Sequence, residues 1–155
     1  MVSRRRDLEV VDLSIDVIER EAPLVPVNDH REALGGQTHQ GVLRVRTAGG
    51  LEGHCIVGQQ AGDSSEVMEL IIAQIKPRIL GRRSSERAWA WDQRLELDAP
   101  AALAHSAMSN VDVALWDLAG KAAGLPVHEM LGTQRAEIPV YATYPPRNST
   151  PEGYA

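Results

Sequence analysis

Apolar and polar residues alternate from Val11 to Val17. Val11, Leu13, Ile15 and Val17 are separated by Asp12, Ser14 and Asp16, a two-residue period that predicts a half-buried strand. The period returns in Leu43, Val45 and Thr47, and again in Leu51, Gly53, Cys55 and Val57. Ala48, Gly49 and Gly50 between the last two runs predict a hairpin with a short glycine turn. In that register Arg46 stands opposite Glu52, and Arg44 opposite His54, on the outer face. Three antiparallel strands result, and their buried face needs a cover.

The cover is predicted by a change of period. Asp63 with Glu66 three residues on has the form of a capping box; Val67, Leu70, Ile71 and Ile75 follow at helical spacing until Pro77, where the helix is predicted to end. A second helix is expected to start near Ser84 or Ser85, with Ala88, Trp91 and Leu95 on one face. Asp98, Ala99 and Pro100 signal the start of a longer one. That helix carries one apolar stripe at Ala107, Val111, Leu115, Leu118 and Ala122, and a second at Val113, Trp116, Gly120 and Ala123. It is therefore predicted to be packed from two sides, with a narrow polar remainder of Asn110, Asp117 and Lys121. Gly120 costs about 0.5–1 kcal/mol against Ala inside a helix, so another backbone is expected close to it. Gly124, Leu125 and Pro126 supply a left-handed cap and a stop. Ile138 to Thr143 then predict a short strand, followed by a rigid loop from Tyr144 to Arg147. Strands first and helices afterwards imply an α+β domain with its helices on one side of the sheet.

The run from Val111 through Asp112, Ala114, Leu115, Trp116, Asp117, Gly120, Lys121, Gly124, Pro126, Leu131 and Gly132 to the strand at Ile138 resembles the enolase superfamily. In particular it is similar to the end of the N-terminal capping domain in the mandelate racemase and muconate lactonizing enzyme branch. The resemblance implies a three-stranded antiparallel meander followed by a helical bundle over residues 1–132. Residues 133–155 would then be the first strand and loop of a truncated (β/α) barrel of the TIM type. Counting 155 − 137 leaves 18 residues after Glu137, whereas such a barrel takes about 250. The expectation is that the chain stops where the catalytic domain starts.

The function implied by this resemblance is the N-terminal part of a magnesium-dependent racemase, epimerase, cycloisomerase or acid-sugar dehydratase. The chemistry is removal of the proton next to a carboxylate, with the metal stabilising the enediolate. In the family the later barrel strands supply the bases and the carboxylates that hold magnesium. No catalytic residue and no metal ligand is therefore assigned here, and the chain alone is expected to be inactive. What this part of the family contributes is selectivity, through loops after the first and third strands that close over the barrel mouth. By order along the chain the first loop falls within Ala22 to Thr38, where Pro23, Pro26, Gly35 and Gly36 fit a mobile lid with stiff shoulders, and the second around Gly58 to Asp63. The candidate specificity residues are His30, Arg31, Gln59 and Gln60, joined by Thr143 and Tyr144 at the first barrel strand. His30 and Arg31 either meet an acidic substrate or are ordinary solvated loop residues. Many relatives carry a Gly-x-Gly-Glu run near the third strand, where this chain has Gly53, His54, Cys55 and Ile56.

Composition adds bounds. A chain of 155 residues, 43% hydrophobic and 24% charged, reads as one soluble globular domain. A formal charge of −5 argues against nucleic-acid or membrane partners. The single Cys55 cannot form an internal disulfide, so a reducing, cytoplasmic home is the simplest reading. Acidic residues after Arg4, Arg5 and Arg6 interrupt what would have to be the apolar core of a signal peptide. The five histidines are scattered without metal-ligand spacing, and Cys55 reads as a small core residue. Trp89, Trp91 and Trp116 read as packing residues, and Arg82, Arg83 and Arg87 as a solvated basic face, a subunit contact or an anion site. The expected partners are the protein's own C-terminal barrel, a small carboxylate or acid-sugar substrate, and further copies of the chain in a homo-oligomer. The alternative is a non-catalytic binding or assembly module.

Overall fold

The computed structural model describes residues 7–26, 33–58, 64–135 and 137–140. Strand β1 (Val10–Pro26) pairs antiparallel with β2 (Ala33–Thr47), and β2 with β3 (Glu52–Val57), in the order β1-β2-β3. The alternation reappears as burial: Leu13, Leu43, Val45 and Val57 point into the core and are fully buried. Arg46 pairs with Glu52 and Arg44 with His54, in the predicted register. The turn is closed by bonds from Gly50 N–H to the Thr47 carbonyl and from Thr47 N–H to the Leu51 carbonyl, both 2.9 Å. Gly50 takes φ 83°, the left-handed position that ends a three-residue hairpin turn.

The first two strands are longer than alternation predicts. Ala22–Pro26 and Ala33–Thr38, expected in a loop, are ladder backbone: Ala22 pairs with Gly36 and Val25 with Leu34, with a register shift between them. Ladder hydrogen bonds require no apolar period, so strand pairing extends here through sequence that shows no two-residue alternation. The shift falls beside Pro23, which has no N–H to donate.

The first helical rod begins with α1 (Ser65–Leu70), passes through a π segment (Ile71–Ile75) and ends as α2 (Lys76–Ile79). Its N-cap is Ser64, which makes no side-chain cap bond, and Asp63 of the expected capping box lies outside the described residues. Pro77 does not end the rod, contrary to the sequence expectation. In the π segment the Lys76 N–H reaches back five residues to the Ile71 carbonyl. This wider turn moves the preceding carbonyls away from the proline ring that would otherwise strike them. The Gln74 carbonyl is taken up by the Arg78 guanidinium.

Helix α3 (Arg87–Asp92) starts later than expected and tightens into a 3-10 turn (Gln93–Glu96). Its buried residue is Ala90; of the expected face only Trp91 is turned to the core, since Ala88 is exposed and Leu95 is 74% exposed. The change from about 3.6 to 3.0 residues per turn rotates Leu95 away from the core. Trp89 and Trp91 do pack against the core, Trp91 edge-on to His105 at 5.0 Å.

Helix α4 (Ala101–Ala123) follows Pro100 as predicted. Its entry is held by Gln74, whose side-chain amide bonds both the N–H and the carbonyl of Asp98. Ala107, Val111, Leu115 and Leu118 are buried, and with Met108, Ile71, Ile75 and Ile79 they cover the sheet. The predicted second-side packing is only partial among the described residues: Gly120 is buried under the returning chain and Trp116 is half-buried beneath Arg87, but Val113 is 52% exposed and Ala123 is exposed, as is Ala122 of the first stripe. A stripe records which residues are apolar, and not what covers them.

The helix ends as foreseen. Gly124 sits at φ 68°, Leu125 N–H bonds the Gly120 carbonyl at 3.0 Å, and Gly124 N–H bonds that of Lys121 at 3.3 Å. The backbone close to Gly120 is this returning chain, since a Cβ there would lie 2.9 Å from the Leu125 oxygen. Gly120→Ala should therefore lower stability by about 1–2 kcal/mol in urea titrations, although Ala is the better helix former. A stabilised variant would show that the cap yields without cost.

After α5 (Val127–Met130) the chain runs to Ile138 and Val140, which are 69% and 89% exposed and in no strand. The short strand expected from Ile138 is thus not formed over its described part, because none of the three strands runs beside it to complete a ladder. No helix among the described residues is long and apolar enough to cross a membrane.

Candidate functional site

Val57, the last residue of β3, stands opposite Gly41; beyond that pair only β1 and β2 continue, as a two-stranded ribbon out to Pro26 and Ala33. Nine steps from Val17 to Pro26 carry the ribbon about 30 Å past the end of β3. At the root, Gly58 turns with φ 132°, and a Cβ on it would sit 3.2 Å from Gln40 Cα. Segment 59–63 therefore leaves from the root of the ribbon and segment 27–32 from its tip, in the same direction along the sheet. Of the candidate specificity residues, His30, Arg31, Gln59, Gln60, Thr143 and Tyr144 all lie outside the described residues. What is placed beside the ribbon root is an open apolar groove of about 520 Å³, lined by Ile15, Val17, Met68, Ile72 and Ala73, with Glu69 at its rim.

Among the described residues, a closely bonded polar cluster lies on the open edge of β3, which α4 covers. Asp117 Oδ2 accepts the His54 backbone N–H at 2.8 Å and Lys121 Nζ at 2.7 Å. Lys121 Nζ donates to the Glu52 carbonyl at 2.9 Å and approaches His54 Nδ1 at 3.0 Å. The helix thus supplies, from two side chains one turn apart, the acceptor and donor that a fourth strand would offer to an exposed edge. Gly53 lets the helix come this close. Sequence reasoning saw the Asp117 and Lys121 spacing but not its target, because His54 lies 63 residues away from Asp117.

On the outer face, Lys76 Nζ and Arg46 reach Asp12 at 3.1 and 3.6 Å, and Arg44 pairs with Asp16. The hydrogen bond from Lys76 holds Asp12 below the ordinary carboxyl value of 3.8, against the opposing effect of burial. For Asp117 burial is the largest influence and pushes upward, but Lys121, the His54 N–H and the His54 ring together outweigh it, and the net shift is down. Burial lifts Asp112 despite nearby Arg87, and it also lifts the Cys55 thiol, whose Sγ lies 3.5 Å from Asn110 Oδ1.

A carboxyl depressed on folding stabilises the fold above its unfolded pKa, and that contribution is lost as pH falls through the folded value. Asp12 and Asp117 therefore contribute fully above about pH 4 and progressively less below it. Urea midpoints are expected to hold from pH 7 to 5 and to fall below pH 4, less steeply in Asp117→Asn than in the parent chain. An equally steep fall in the variant would remove Asp117 from the account.

The basic residues read as a solvated face, a subunit contact or an anion site are partly stacked. Arg82 lies 4.0 Å over Trp89 and Arg87 3.9 Å over Trp116, while Arg82 also pairs with Glu86. Among the described residues no three His, Cys, Asp or Glu side chains converge to hold a metal ion. Where His54 and Asp117 approach one another, the Lys121 ammonium is already in contact with both.

Comparison with known proteins follows the same outline. The family described as mandelate racemase / muconate lactonizing enzyme, N-terminal domain, matches residues 13–132. Muconate cycloisomerase 1 of Rhodococcus opacus is 35% identical over 132 residues, covering 79% of this chain and 35% of the relative. A member of the enolase superfamily from Polaromonas sp. JS666 superimposes with a TM-score of 0.77 at 25% identity, over 94% of this chain and 39% of that one. D-glucarate dehydratase from Agrobacterium tumefaciens, solved with magnesium, gives 0.65 at 27% identity, over 83% and 34%. The chain thus spans between about a third and two fifths of the length of these relatives.

Proposed function

The chain belongs to the mandelate racemase / muconate lactonizing enzyme N-terminal domain family, and from that premise we propose that it is the specificity lid of a magnesium-dependent enzyme that removes a proton next to a carboxylate. The observation that carries this reading is the two-stranded ribbon that β1 and β2 build beyond the end of β3, with segment 27–32 joined to its tip and segment 59–63 to its root. A ribbon that reaches past the sheet can carry its tip to a ligand bound on a neighbouring domain. His30 and Arg31 would then bind the end of an acid substrate away from the reacting carbon, with Gln59 and Gln60 donating to its hydroxyls. Thr143 and Tyr144 would approach from the first strand of the barrel, residues 133–155 being its start.

Three further findings support the reading. Relatives include a muconate cycloisomerase and a glucarate dehydratase, and both named acids are dicarboxylates, for which Arg31, set between the acidic Asp29 and Glu32, would be the carboxylate partner. The second stripe of α4, with Val113 and Ala123 uncovered, supports packing against a barrel or further copies of the chain in an oligomer. A lone cysteine fits a cytoplasmic setting. The described residues do not fit a metal, so the magnesium seen with the glucarate dehydratase bears on the barrel portion, where it would stabilise an enediolate. The work of this chain is to bind, orient and exclude water.

The test is kinetic, in the protein that carries these residues together with a barrel. Arg31→Gln should raise KM for a dicarboxylate about ten-fold while kcat changes by less than about two-fold. A loss in kcat at unchanged KM would place Arg31 in the chemistry instead. Magnesium-dependent turnover by the 155 residues alone would overturn the division of labour altogether.

A further inference from the structure

Lys121 Nζ has three N–H donors and no lone pair, and its three neighbours are Asp117 Oδ2, the Glu52 carbonyl and His54 Nδ1, at 2.7, 2.9 and 3.0 Å. The third contact is a hydrogen bond only if Nδ1 carries no proton. The remaining ring proton then belongs on Nε2, which lies 3.4 Å from Glu52 Oε2, an acceptor. The charged groups around the ring are Glu52 on its own strand, Arg44 opposite it on β2, and Asp117 and Lys121 on α4. A proton added at Nδ1 would point an N–H at an ammonium, and the nearest alternative acceptor for it is Asp117 Oδ2, 3.6 Å away.

We propose that His54, Asp117 and Lys121 form a proton-sensitive clasp on the open edge of β3. With His54 neutral, Lys121 is held against the Glu52 carbonyl and closes the edge. When Nδ1 takes up a proton, the imidazolium replaces Lys121 on Asp117, and the ammonium swings into solvent. The edge of β3 loses its donor just ahead of Gly58, where the chain turns toward segment 59–63. Histidine is the side chain whose charge changes most readily near neutral pH. The proposal does not rest on the enzymatic reading above.

Nuclear magnetic resonance on the 155-residue chain tests it. At pH 8 long-range nitrogen–proton spectra should assign the Nε2–H tautomer to His54. As the ring titrates on acidification, Overhauser contacts from the Lys121 side chain to the Glu52 and Gly53 backbone should weaken at least about two-fold, the sign of a group leaving its site. His54→Asn, whose amide oxygen can accept from Lys121 but cannot be protonated near neutral pH, should keep those contacts at every pH. An Nδ1–H tautomer at pH 8, or contacts that persist through the titration, would overturn the proposal. So would the same pH response in His54→Asn. If that variant does not fold, the tautomer and the contacts in the parent chain decide alone.

Discussion

Gly53→Ala is expected to lower the melting temperature by about 10 °C or to leave the chain unfolded, corresponding to about 3 kcal/mol or more. A Cβ built on Gly53 falls 2.0 Å from the Ala114 carbonyl oxygen, 2.7 Å from Leu118 Cβ and 2.9 Å from the Leu118 nitrogen. None of these is the free end of a side chain, so relief requires α4 as a whole to move off β3. That movement would also separate Asp117 from the His54 N–H and Lys121 from the Glu52 carbonyl. Gly41 makes the contrast, because its Cβ would meet Ile15 Cγ2 at 2.5 Å and Met68 Sδ at 2.7 Å, both outer atoms of side chains. Gly41→Ala should cost about 1–2 kcal/mol and be partly rescued by Met68→Ala, whereas no truncation at position 118 should rescue Gly53→Ala. Calorimetry on the single and double variants decides, and a Gly53→Ala chain melting within a few degrees of the parent would mean that helix and strand are less closely docked than described.

Leu118→Ala carries the second large effect, a loss of about 2–5 kcal/mol. Leu118 is fully buried on the α4 stripe against the sheet, and removing its outer carbons leaves a space that helix and strand cannot both close, since Gly53 already brings them into contact. Leu95→Ala and Val113→Ala, at residues 74% and 52% exposed, should change stability by less than about 0.5 kcal/mol. Urea denaturation separates these cases, and a cost at Val113 approaching that at Leu118 would show that the second stripe is covered in solution. That result would point to self-association, which the concentration dependence of the midpoint would reveal.

Much of the architecture was legible because its signals are local. Leu13, Leu43, Val45 and Val57 alternate with polar neighbours, and Val111, Leu115 and Leu118 recur at helical spacing, so their burial follows from period alone. The turn at Gly50 and the cap at Gly124 are positions where a left-handed backbone selects glycine. The candidate site was less legible. The two exits in one direction along the sheet follow from strand order, but the expected loop from Ala22 to Thr38 is largely ribbon, whose pairing bonds carry no side-chain signature. Pro77 failed as a stop because a π turn inside the same rod absorbed it, and Leu95 left the predicted face because its helix tightened.

Sequence by itself determined the order of strands and helices, the membership of the core stripe and the places where the chain must turn, because each is written in residues within a few positions of one another. Tertiary structure alone decided that Gly53 is the contact point between sheet and helix and that Asp117 and Lys121 close the edge of β3. Those outcomes join residues separated by 61 to 69 positions, the first from 114 − 53 and the last from Lys121 to Glu52. They exist only once the helix has docked, when burial and close approach select among partners that the local pattern leaves equivalent.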